Sequence, residues 1–73
     1  MNVVLYFMND CCRCKELEAK LNEKNIEHDR VEITMDNVGI LFDKGFDSAP
    51  VLSINDEMIG FEDALKWAQD LNT

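Results

Sequence analysis

The sequence predicts an α/β fold of order β-α-β-α-β-β-α, a four-stranded mixed sheet flanked by three helices. Three observations carry this. Val3-Val4-Leu5-Tyr6-Phe7 is a near-continuous apolar run, the pattern of a central strand covered on both faces. Cys14, Leu17 and Leu21 recur at spacings of three and four, which makes one helical face. Val51-Leu52-Ser53-Ile54 and Glu57-Met58-Ile59 flank Asn55-Asp56, residue types that tolerate a tight hairpin turn.

Residues 2–7 are read as the first strand and Met8 to Asp10 as a short loop. Asp10 or Cys11 then stands where a helix cap belongs, and Asp is a favoured capping type. Glu16, Lys20, Glu23 and Lys24 fill the helix face opposite Leu17 and Leu21. Glu16–Lys20 is ordered correctly for an i,i+4 pair. Asn25 is the expected stop.

Residues 26–33 alternate in part, with Val31 and Ile33 inward and Arg30 and Glu32 outward. Their high charge suits a strand at the sheet edge. His28 falls in this stretch and is read as an exposed side chain without a role. Thr34 or Asp36 is placed to cap a short helix with Val38, Leu41 and Phe42 inward, and Gly45 marks its end. Residues 46–50 connect to the hairpin. The last helix opens at Gly60-Phe61-Glu62-Asp63, with two acids in its first turn, where the helix dipole favours negative charge. Phe61, Ala64, Leu65, Ala68 and Leu71 supply its apolar face, flanked by Trp67. A right-handed β-α-β unit makes the first two strands parallel. The hairpin completes a mixed sheet with helices on both faces.

With 73 residues, one domain spanning 1–73 is expected. An apolar share of 47% suffices for one core, with a thin margin at this size. The net charge of −8 argues against a nucleic-acid surface, which needs clustered Lys and Arg. It fits solubility, or steering toward a basic patch on a partner. No membrane-length run and no signal peptide is visible, so a cytoplasmic address is expected.

All three cysteines fall within four residues, Cys11-Cys12-Arg13-Cys14. They cannot staple distant parts of a fold, which points to a redox or metal role in a reducing compartment. Residues three apart on a helix are neighbours, so Cys11 and Cys14 are within reach of a disulfide. Cys11 lies where free N–H groups and the helix dipole favour a thiolate. Arg13 and Lys15 add positive charge. Cys11 is therefore the expected nucleophile and Cys14 the shielded thiol that resolves the mixed disulfide. A zinc or iron–sulfur role lacks a second ligand group, and no metal is expected. Cys12 points away from the pair and reads as a tolerated small side chain, or as a second reactive thiol. Pro50 stands before a strand, where trans is the default. A cis bond would leave the backbone of Ala49 free to pair with an incoming peptide.

With Cys11-x-x-Cys14, Ala49-Pro50-Val51 and Ile59-Gly60-Phe61 in that order, the chain resembles the glutaredoxin family of the thioredoxin fold over essentially its whole length. The resemblance implies that Cys11 and Cys14 form the catalytic, redox-active disulfide. It also implies that Pro50 is a cis-proline against the sulfurs. Ala49, Pro50, Gly60, Phe61 and Asp63 correspond to substrate-binding positions.

Within the family the chain looks most like NrdH-type redoxins, electron donors to ribonucleotide reductase that thioredoxin reductase recharges. Asn9-Asp10-Cys11-x-x-Cys14, Gly45-Phe46-x-x-x-Pro50-Val51 and Gly60-Phe61 carry that likeness. Met8 stands where a glutathione user commonly has a basic residue. Met58 and Glu62-Asp63 depart from the NrdH-type pattern, and Asp63 matches an aspartate that meets the amino group of glutathione. The resemblance thus implies a monomeric dithiol–disulfide oxidoreductase with no bound cofactor. Its implied partners are a protein disulfide and thioredoxin reductase, with glutathione as the alternative co-substrate.

Overall fold

The computed structural model describes residues 2–71. Its elements are β1 (Val3–Phe7), α1 (Cys12–Glu23), β2 (Asp29–Glu32), α2 (Val38–Asp43), β3 (Val51–Ile54), β4 (Glu57–Ile59) and α3 (Phe61–Asp70). The predicted order is present. The four strands form one sheet in the order β2-β1-β3-β4. β1 is parallel to β2 and antiparallel to β3, and β4 is antiparallel to β3.

Register assigns each side chain to a face, because the strand period is two. Leu5 stands opposite Leu52 and Val3 opposite Ile54. Val3, Leu5 and Leu52 form one core with Leu17 and Leu21 of α1 and Ala64 and Ala68 of α3. The two alanines carry short side chains, which lets α1 and α3 pack closely over the sheet. The reverse face presents Val4, Tyr6 and Val51. There Val51 is buried, while Val4 and Tyr6 are only partly so. Among the described residues of α2, Leu41 alone is buried, and it lies outside the α1–α3 core.

The hairpin turn forms as read. Asn55 and Asp56 both take positive φ, 51° and 73°, the mirror-image turn whose twist matches the strands. The turn is also tied to the chain start, since Asn55 N–H donates to the Asn2 carbonyl at 2.7 Å and Asn2 N–H to Asn55 Oδ1 at 2.9 Å. Gly45 has φ +90°, which a glycine adopts at least cost just past a helix.

Several expectations need correction. The second strand is shorter than 26–33, running only over Asp29–Glu32. His28 precedes it and its side chain is 6% exposed. Its Nδ1 meets the Ile26 carbonyl at 2.9 Å and its Nε2 meets Glu18 Oε2 at 3.3 Å. The ring is therefore a satisfied packing group, not an exposed one. Phe42 points outward, 55% exposed, because a helix of six residues has room for little more than one inward turn. Asn37, not Thr34 or Asp36, is the N-cap position of α2, and its side chain instead accepts the Thr34 N–H at 2.8 Å. The Ala49–Pro50 bond is cis, as the family resemblance implied and against the trans default of an isolated X–Pro step.

Candidate functional site

Cys11 is the N-cap of α1, which settles the choice between it and Asp10. Asp10 instead takes φ +58° and turns the chain. Cys11 has extended backbone, and its Sγ accepts the N–H of Cys14 at 3.1 Å. One of the helix's free first-turn donors is thereby satisfied by sulfur. The sulfur of an N-cap residue faces the positive end of its helix, where negative charge is favoured. Arg13 and Lys15 are the nearest cations along the chain.

The three thiols differ in access. Cys12 is exposed, Cys11 half-buried and Cys14 buried. Burial pushes the Cys14 thiol up to about 11, and its hydrogen bond to Cys11 and the Cys11 charge push the same way. A hydrogen bond from the Met8 backbone works against that rise. An outer sulfur held as an acceptor and an inner thiol kept protonated make a dithiol–disulfide exchange site. Among the described residues no group of three or more metal-ligating side chains is assembled. No helix among them is long and apolar enough to cross a membrane.

The other residues singled out in the sequence gather around this turn to different degrees. Pro50 is buried and Ala49 half-buried just ahead of β3. Ala49 shares a groove with Met8, which precedes the cysteine turn. Gly60 is the N-cap of α3, with φ −83° and ψ −174°. A β-carbon there would stand 3.7 Å from the Phe46 ring. Phe61 opens α3, and the Arg13 guanidinium lies over its ring at 5.7 Å. This contact joins the cysteine turn to the start of α3. Asp63 is exposed in the first turn of α3, and no contact in the structure ties it to the sulfurs.

Two participants escaped the sequence reading. Arg13 counted only as charge, although it also reaches Phe61 across the fold. Met8 counted only as the absence of a basic residue, although its backbone meets the Cys14 sulfur. Neither pairing leaves a periodic trace. A third set lies beneath the site: Glu18 Oε2 accepts from Arg30 Nε at 2.7 Å and also meets His28. Arg30 in turn covers the Phe7 ring at 4.4 Å. These contacts fasten α1 to the edge strand.

No protein-family model and no curated protein sequence matches the chain. Solved structures do. The glutaredoxin-like protein NrdH-redoxin from Escherichia coli superposes with a TM-score of 0.85 at 20% identity, covering 100% of this chain and 97% of that one. A mutant of the thioredoxin-like protein BC3987 gives 0.76 at 23%, covering 97% and 100%. Glutaredoxin 1 from Francisella tularensis gives 0.75 at 25%, covering 94% and 92%. The chain therefore has the thioredoxin fold, in the small glutaredoxin-like form, with a Cys-x-x-Cys pair at its first helix arranged for thiol–disulfide exchange.

Proposed function

We propose that the chain is an NrdH-like redoxin of the glutaredoxin family that carries two electrons to a protein disulfide in the cytoplasm. The target in this reading is ribonucleotide reductase, and thioredoxin reductase recharges the carrier. The observation that carries it is the inequality of the two sulfurs. Cys11 is half-accessible and held as the helix cap, and Cys14 is buried one turn on with its N–H given to Cys11. Whole-length likeness to NrdH-redoxin supports the choice of relative. The exposed Met8, in place of a cation that would hold a glutathione carboxylate, supports the choice of reductant.

The Cys11 thiolate attacks one sulfur of the target disulfide. That S–S bond breaks, a Cys11–target disulfide forms, and the released target thiolate takes a proton from water. Cys11 then no longer carries charge, so two of the influences that keep Cys14 protonated disappear. Cys14 loses its proton to solvent and attacks Cys11 Sγ. The second target thiolate leaves, and the chain ends as the Cys11–Cys14 disulfide. Two electrons have passed to the target. Ala49, Pro50, Gly60 and Phe61 are proposed to line the approach of the target segment, with Asp63 at its outer edge.

Incubating the oxidised chain with NADPH and thioredoxin reductase, or with reduced glutathione, decides the reductant. Rapid reduction by the first is expected; reduction only by glutathione overturns this choice. Cys14→Ser should stall as a mixed disulfide through Cys11, visible by mass. Failure to trap any adduct there removes the assigned roles.

A further inference from the structure

Two arginines of this chain lie over aromatic rings, and they differ in one respect. Arg30 covers the Phe7 ring at 4.4 Å and also donates to Glu18 at 2.7 Å. Arg13 lies over the Phe61 ring at 5.7 Å and has no acid. The ion pairs among the described residues use Lys20, His28 and Arg30, although the chain carries 15 acidic and 7 basic side chains. Glu62 and Asp63 follow Phe61 directly, yet Arg13 pairs with neither. A guanidinium held over a ring by its charge keeps N–H donors for a carboxylate. At Arg30 a carboxylate of this chain takes them. At Arg13 no carboxylate among the described residues does.

The position of Arg13 selects what would complete it. It is an exposed residue in the first turn of α1, between the two redox cysteines. Phe61 opens α3, on the approach proposed above for the target segment. We propose that Arg13, held over Phe61, selects the target protein by receiving an Asp or Glu side chain close in sequence to the cysteine that Cys11 attacks. Arg13 is then a specificity residue and Phe61 its positioning residue. This rests on the reading of the chain as a protein-disulfide reductant and names the chemistry by which the target is chosen. The pairing works against the field of the chain itself. A net charge of −8 repels an acidic segment at long range, so a preference for acid has to come from a local contact.

The test is a double-mutant cycle across that contact. The reduced full chain, unaltered or Arg13→Gln, is mixed in single turnovers with two disulfide-bridged peptides. One has Glu on either side of its cysteine and the other has Gln there. The ratio of the two rate ratios cancels any change in Cys11 reactivity and any difference between the peptides. A coupling of about fivefold in favour of Glu is expected, the size of a good exposed ion pair. Arg13→Lys should keep about twofold, because a point charge replaces the fork. Lys15→Gln removes an equal charge from the same turn and should couple by less than about twofold. Phe61→Leu should lower the Arg13 coupling to about twofold, and Phe61→Tyr should restore it.

No coupling at Arg13, or equal coupling at Arg13 and Lys15, overturns the proposal, since general charge alone would then be at work. Full coupling in Phe61→Leu overturns it as well, because the ring would not hold the cation. An Arg13 dependence seen with glutathione disulfide, measured against hydroxyethyl disulfide, and absent from the peptides assigns the pairing to a small-molecule carboxylate and also overturns it. If the unaltered chain reduces neither peptide nor hydroxyethyl disulfide, the redox reading itself falls, and this proposal with it.

Discussion

The two faces of the sheet are built to different standards. On one, Val3, Leu5 and Leu52 meet two long helices, and Leu5, Leu17, Leu21 and Leu52 lose all contact with water. On the other, a six-residue helix contributes one buried side chain, Leu41, and leaves Ile40 and Phe42 outside. The first face holds the chain together. The second carries apolar surface that folding does not use. In a chain this small, burial on one face has to supply most of the stability. The other is then free to serve contacts with other molecules. The cysteine turn lies at the end of β1, where both faces terminate.

Mutations should separate the faces. The largest effect is expected from Leu5→Ala, which opens a cavity in the closed face and should cost about 2–5 kcal/mol in denaturant unfolding. A cost below about 1 kcal/mol would mean that this face is not the dominant core.

The next effect belongs to the boundary, at Cys14. Its native thiol ionises only near 11, whereas in the unfolded chain it ionises nearer about 8.5. The raised native value means that the unfolded state loses this proton first. Stability from this group is fully present below the unfolded value and falls as pH rises toward about 11. The loss is on the order of 3 kcal/mol. Unfolding midpoints of the reduced chain at pH 7 and pH 11 should show it, and Cys14→Ala should flatten the slope. Identical slopes would place Cys14 in a wetter site than the one described.

The smallest effect is expected on the open face. Phe42→Ala should change stability by less than about 0.5 kcal/mol, because the side chain gains little from folding. A loss as large as that of Leu5→Ala would erase the difference between the faces.

The closed face was also the legible one. Its signal is repetition: Leu17 and Leu21 at helical spacing and a run of apolar residues in β1 both follow from local geometry. The hairpin was legible because Asn55 and Asp56 are residue types that accept positive φ. The cysteine pair was legible from spacing and position alone. Phe42 was misread because a helical pattern does not say how many of its positions a short helix can bury. His28 was misread because its partners lie outside its own stretch. Glu18 comes from α1, ten residues earlier, and no periodicity in residues 26–33 encodes that contact. The cis bond before Pro50 followed from family resemblance, not from the residues around it, since an Ala-Pro step alone favours trans.

In α1 a single atom is both the cap of a helix and the proposed attacking group, since Cys11 Sγ holds the Cys14 amide. A sulfur that has entered a disulfide is neutral and attracts an N–H more weakly than a thiolate does. In the proposed exchange, oxidation should loosen the opening turn of the helix, and the Cys14 amide should exchange with deuterium faster in the oxidised chain. The charged and spent forms of the carrier thus differ in backbone firmness beside the reacting atom.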